Sequence, residues 1–189
     1  MKKVNTNFVY FTILFFAGSI LGWLWEMAAF KCTHSGFSWI EIIQNLRGVL
    51  HGPWVPIYGF GCVLLVLLGH KFKQRPVMLL CGNIVICGIL EYLTSYVLEL
   101  LFHARWWDYS TKLLNLHGRI YAGGLLFFGI AGMLVVYLIE PWLCSWIMRV
   151  HPRIRMICSA LLTITFFIDT FIALQSPNLG IGVSIMGAR

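Results

Sequence analysis

The sequence predicts an all-α fold, a polytopic transmembrane helical bundle with about five spans and one interfacial helix. Three observations carry this expectation. Of 189 residues, 59% are hydrophobic and 11% charged, where a soluble domain carries about a quarter charged residues. Mean hydropathy is +0.82. Apolar runs close to the roughly 20 residues needed to cross a bilayer alternate with short charged connections. The net charge of +7 lies mostly in those connections, which reads as membrane topology and excludes a nucleic-acid-binding surface.

The first run, about residues 7–30, follows Met1-Lys2-Lys3. It is too long for a signal peptide, contains Trp and Glu, and has no small-residue cleavage site after it, so it reads as a mature helix. Gly18 and Gly22 form a GxxxG pair within it, a pattern of close helix packing and a candidate homo-oligomer face. Ser38 and Glu41 then form a capping box ahead of Trp39, Ile40, Ile43, Leu46 and Leu50 at helical spacing. That predicts an amphipathic interfacial helix over 39–50.

Residues 46–61 contain two prolines and four glycines, which no continuous helix accommodates. Irregular backbone near membrane depth requires protein or a water-filled cavity around it. A simple hairpin into the second span also accounts for it. The remaining spans are expected at about 54–70, 76–102, 119–140 and 155–174, making 1–174 one membrane domain. The Gly-rich tail, 175–189, is left open between a disordered and a short re-entrant segment.

Lys2, Lys3, Lys71, Lys73, Arg75, Arg149, Arg153 and Arg155 fall on one side, and Lys31, Arg47, Arg105, Lys112, Arg119 and Arg189 on the other. The bias predicts a cytoplasmic N-terminus. Five spans place connections 31–53 and 103–118 on one face in either orientation.

Four of the seven acidic residues, Glu26, Glu91, Glu99 and Asp169, fall inside apolar runs. A charge at the bilayer centre costs about 2.5–3.5 kcal/mol on insertion scales, so such groups face the protein interior, pair, or line a pathway. Glu26, Glu99 and Asp169 lie toward the same end as Arg47, Arg105 and Arg119, and Glu91 sits about 12 Å deeper than Glu99. Simple structural pairing with arginine competes with a functional role for each. The stretch HARWWDYSTKLLNLHGRI, 103–120, adds Trp107, Asp108, Tyr109 and Asn115 at that face. Interfacial anchoring accounts for tryptophans but not for the dense donors and acceptors beside them.

Six cysteines show no CxxC pair, Glu99 and His103 alone make a weak metal signal, and GxxxxGK[ST] is absent. No metal or cofactor is expected, and ATP hydrolysis would need another chain.

Gly22-Trp23 with Glu26, Arg47-Gly48, Gly52-Pro53, Pro56-Ile57-Tyr58-Gly59, Gly61, Glu91, Glu99, Trp107-Asp108-Tyr109-Ser110, Asn115 and Gly118-Arg119-Ile120 form an ordered set. The set, over about residues 18–140, resembles the type IV ABC-transporter permease family of small bacterial membrane proteins, CmpB-like. The resemblance implies an inner-membrane transport component with an ATPase subunit supplied in trans.

The expected function is a permease-like or substrate-binding membrane component with an outward-facing polar site. Glu26, Glu91 and Glu99 would line it, and Arg47, Arg105 and Arg119 would pair with carboxylates or bind an anionic group. Trp107, Asp108 and Tyr109 would shape its entrance, with Asn115 in the same loop. A membrane-embedded enzyme acting on a lipid or lipid-linked substrate, and an assembly or structural factor, remain open alternatives.

Overall fold

A computed structural model of the chain describes residues 8–45, 48–180 and 183–185. It is an all-helical bundle. The helices are α1 (Phe8–Thr33), α2 (Trp39–Asn45), α3 (Pro56–Phe72), α4 (Pro76–Phe102), α5 (Ala122–Leu134), α6 (Glu140–Arg149) and α7 (Pro152–Gln175). A π-helical turn, Val135–Ile139, joins α5 to α6 without a break, so 122–149 runs as one rod. Together with that rod, α1, α4 and α7 are long and apolar enough to cross a membrane; α3 is apolar and 17 residues long. Their outward faces expose Val85, Ile89 and Leu93 on α4 and Ile157, Leu161 and Ile164 on α7, as hydrocarbon surroundings require.

Proline starts three of these helices, at Pro56, Pro76 and Pro152, where its missing N–H is lost from no intrahelical bond. The capping box forms: Ser38 donates from its amide (2.7 Å) and hydroxyl (2.8 Å) to Glu41, whose own amide donates to the Ser38 hydroxyl at 3.3 Å. These bonds hold the Glu41 carboxyl below the usual carboxylate range. The helix they start is shorter than the expected 39–50. It ends at Asn45, and by Gly48 the chain has turned into the left-handed region at φ 68°. Leu46 and Arg47 lie outside the described residues.

The tightest helix pair is α1 on α3. A side chain at Gly22 would run into the Tyr58 ring, and one at Gly18 would meet Cys62 Cβ at 2.8 Å. The GxxxG face read as a candidate oligomer face is therefore covered by α3 of the same chain. On the side where α1 begins, Tyr10, Leu14, Val66 and Ile147 pack together, and the Tyr10 hydroxyl donates to buried Glu140 at 2.7 Å. Nearer the other face, Phe16, Leu50, Trp54 and Ala173 form a second cluster.

Asp169 organises that second region. Its carboxylate accepts from the amides of His51 (3.0 Å) and Gly52 (2.8 Å) and from the Trp54 indole (2.7 Å). The irregular 48–55 segment thus satisfies its backbone against protein at membrane depth. The tail continues the arrangement. Asn178 donates to the Val49 carbonyl at 3.0 Å and accepts the Trp106 indole N–H at 3.2 Å. Strand β4 (Ser184–Ile185) then pairs antiparallel with β1 (Ala104–Arg105).

Asp169→Ala strands three donors, and bonds to a charged acceptor contribute roughly 1.5–3 kcal/mol each. The expected outcome is a lower Tm in detergent, with hydrogen exchange rising at 48–55 and unchanged in α4. Gly22→Leu overpacks the α1–α3 contact, a change costing about 1–3 kcal/mol. Its expected outcome is a lower Tm without selective exposure of 48–55.

Candidate functional site

The connection 103–121 folds back on itself over the end of the bundle. Strand β2 (Asn115–Leu116) pairs antiparallel with β3 (Ile120–Tyr121). Asp108 accepts from Ser110 through its amide (2.9 Å) and hydroxyl (2.5 Å), which holds the Asp108 carboxyl below its ordinary range. Asn115 donates to the carbonyls of Ser110 (3.2 Å) and Lys112 (2.9 Å) and accepts the Gly118 amide at 3.0 Å. Gly118 has φ 69°, and a Cβ there would lie 2.5 Å from both Asp108 Oδ1 and Ser110 Oγ. Only glycine meets both constraints. The adjacent tryptophans point to different partners. Trp107 donates to the Arg119 carbonyl at 3.0 Å within the cap, while Trp106 reaches the tail.

Two arginines fasten this cap to α4. Glu99 accepts from Arg105 through Nε (2.6 Å) and Nη2 (3.3 Å), and Arg119 Nη2 lies 2.9 Å from the same carboxylate. The bond to Glu99 raises the Arg105 guanidinium above its usual value. Arg119 is 7% exposed and lies against one face of α4. Its Nη1 donates to Ser95 at 3.0 Å, and its guanidinium sits 5.7 Å from the Tyr92 ring centre and 5.3 Å from that of Tyr96. Residues 92, 95, 96 and 99 share that face by helical spacing.

Behind the cap, Glu26 and Glu91 have different surroundings. Tyr58 stands beside Glu26 and Tyr109 beside Glu91, each near enough for its hydroxyl to act on the carboxyl. Each tyrosine also feels the charge of the other carboxyl, so the four groups form one centre across α1, α3, α4 and the cap. Burial, then the Glu91 charge beside it, pushes the Tyr109 hydroxyl well above its ordinary value. Its ring lies 4.8 Å from that of Tyr121, and its amide donates to the Gly118 carbonyl at 2.7 Å, which fixes its approach. Among the described residues, no lysine or arginine stands in ion-pair range of Glu26 or Glu91. A carboxyl paired with a phenol in a desolvated centre can take up a proton or accept a donor from a ligand.

The expected residues therefore separate into three groups. Trp107, Asp108 and Asn115 hold the cap's own shape; Glu99, Arg105 and Arg119 dock it; Glu26, Glu91 and Tyr109 meet behind it. Arg47 lies outside the described residues. Tyr58, which stands beside Glu26, is absent from the expected site, although it stands in the Pro56–Gly59 stretch that carries the family resemblance. Trp23 adds a buried indole N–H with no partner among the described residues. No group of three or more His, Cys, Asp or Glu able to hold a metal occurs among those residues.

Gly118→Ala is expected to loosen the cap, raising hydrogen exchange at the Tyr109 amide and across 108–121, while Tyr109→Phe leaves those amides protected. Similar exchange in the two variants would refute this division between cap-forming and centre-forming residues.

No curated protein and no solved structure matches this chain. A family model does match, over residues 13–174, which include every described residue of the cap and of the polar centre. The chain is a multi-pass membrane protein that belongs to the family described as "Putative ABC-transporter type IV".

Proposed function

We propose that this chain is the membrane-embedded, permease-like component of a transport system of the bacterial inner membrane, with Glu26, Tyr58, Tyr109 and Glu91 as its substrate- or proton-handling centre. One observation carries the reading. Among the described residues, Arg105 and Arg119 both go to Glu99, and Glu26 and Glu91 have tyrosines beside them with no lysine or arginine in ion-pair range. A purely structural pair would gain more from a guanidinium than from a phenol. The cap then acts as an outer cover that positions Tyr109. Lys71, Lys73, Arg75, Arg149, Arg153 and Arg155 lie at the opposite ends of the helices, which supports a cytoplasmic N-terminus. The energy source is a separate ATPase subunit, for which α6 and the 150–152 turn offer exposed Trp142 and Trp146 beside Arg149. Residues 1–174 act as one membrane domain in this reading.

The test is genetic and biochemical together. Cells lacking the chain and its ATPase are compared for solute uptake with cells expressing both, and with cells carrying Glu91→Gln or Tyr109→Phe. Expected are loss of the restored uptake by at least about tenfold in Glu91→Gln, a smaller loss in Tyr109→Phe, and unchanged amounts of folded protein in the membrane, since one tenfold step corresponds to about 1.4 kcal/mol. Full uptake by Glu91→Gln would remove the carboxyl from the mechanism and leave the assembly role as the better account. Uptake that persists without the ATPase would instead argue against an ABC-type energy source.

A further inference from the structure

A groove of about 430 Å³ runs along the outer flank of the bundle between α4 and α5, away from the polar centre. Its walls come from Ile84, Gly88 and Tyr92 of α4, Leu116 and Ile120 of the cap, and Leu125 of α5. The surface it offers is wholly apolar. From Ile84 to Tyr92 it extends about 12 Å along the helix axis. Gly88 forms part of its floor, where a Cβ would already stand 3.3 Å from Leu125 Cδ2. The volume is in the range of small-molecule sites, roughly 300–1,000 Å³.

The cap end of the groove changes character. The Tyr92 hydroxyl lies 2.8 Å from His117 Nδ1, and Arg105 Nη1 donates to the His117 carbonyl at 3.5 Å. His117 itself is exposed. Over residues 99–121, Arg105, Lys112 and Arg119 outnumber Glu99 and Asp108, which leaves this end of the bundle with a net positive charge. The segment leading into β2 is apolar as well: Leu113 is 85% and Leu114 74% exposed, and Leu114 holds φ 54°, in the left-handed region that leucine rarely enters. Two leucines held outward, one of them at a backbone cost, suit a segment that rests among acyl chains at the interface.

We infer that this groove binds an anionic phospholipid, one acyl chain lying along α4 between Ile84 and Tyr92 and the phosphate against Arg105 and His117. Arg119 touches both sides of the arrangement. Its guanidinium faces the Tyr92 ring at the groove and bonds Ser95 and Glu99 on the bundle side. The bound lipid therefore buttresses the docking of the cap from outside. The inference is independent of the transport reading, since it concerns binding alone.

Native mass spectrometry of the detergent-solubilised full chain tests it, using phosphatidylglycerol and phosphatidylcholine with identical acyl chains. The expected result is retention of phosphatidylglycerol over phosphatidylcholine by about tenfold, the size of one charge-assisted contact. Arg105→Gln should bring that preference close to unity. Gly88→Leu, which fills the groove, should reduce retention of both lipids. If Gly88→Leu does not fold, Ile84→Phe narrows the same groove from α4 and serves instead. Equal retention of the two lipids by the unaltered chain, or undiminished retention in a folded groove-filling variant, overturns the proposal. Release of the lipid by excess inorganic phosphate alone also overturns it, because the acyl chain would then contribute nothing. Loss of a co-purifying protein in place of lipid would assign Leu113 and Leu114 to a protein partner and overturn it likewise.

Discussion

The cap face of this protein depends on one carboxylate. Glu99 stands in the last turn of α4 and receives two guanidiniums, from positions near the two ends of the cap. A lone carboxylate there would carry the desolvation cost of a charge near the membrane with nothing to offset it, and two unpaired arginines would fare worse. Together they satisfy one another. Because Arg105 and Arg119 bracket the cap, meeting at Glu99 fixes where the intervening residues sit. Tyr109 reaches Glu91 only because the chain between these two arginines is held in place.

The inner contact between α1 and α3 sets the other half of the centre. Gly22 lets the Tyr58 ring lie directly on the α1 backbone, one turn before Glu26. A larger residue there would push α3 away and take the Tyr58 hydroxyl from its carboxyl. The polar centre thus has two independent supports, a close backbone approach on one side and an ion cluster on the other. Removing either displaces a different tyrosine. The centre contains no loop that holds both carboxyls by itself, which is consistent with a site whose parts can move relative to one another.

Much of the fold is legible in the residues. Apolar runs of bilayer length, prolines at helix starts and the Ser38–Glu41 pair are local signals, written in neighbouring positions. Parity of the spans alone puts the connections 31–53 and 103–118 on one face. The convergence of Arg105 and Arg119 on Glu99 is not legible, because it follows from the register of a two-residue hairpin ladder too short to show a period. Asp169 reads as an acidic residue seeking a cation, whereas its main partners are backbone amides, which leave no mark in sequence. Tyr58 is equally silent, since its value comes from Gly22 on another helix. The tail shows only glycine and proline, and the pairing of Ser184 and Ile185 with Ala104 and Arg105 spans about 80 residues of chain.

That last pairing bears on how the molecule is made. Ribosomal synthesis delivers the N-terminal helices first, and segments pack as their partners arrive. Trp106 and β1 emerge well before Asn178 and β4, and Val49 waits longer still. Until α7 has crossed the membrane and carried the following residues back to the cap, the cap lacks its edge strand and the 48–55 segment lacks Asp169. Insertion of the final helix is therefore the event that completes the face assembled from the earlier ones. A chain stalled or shortened before that point would present the ion cluster and both carboxyls without the strap that joins the two connections above them.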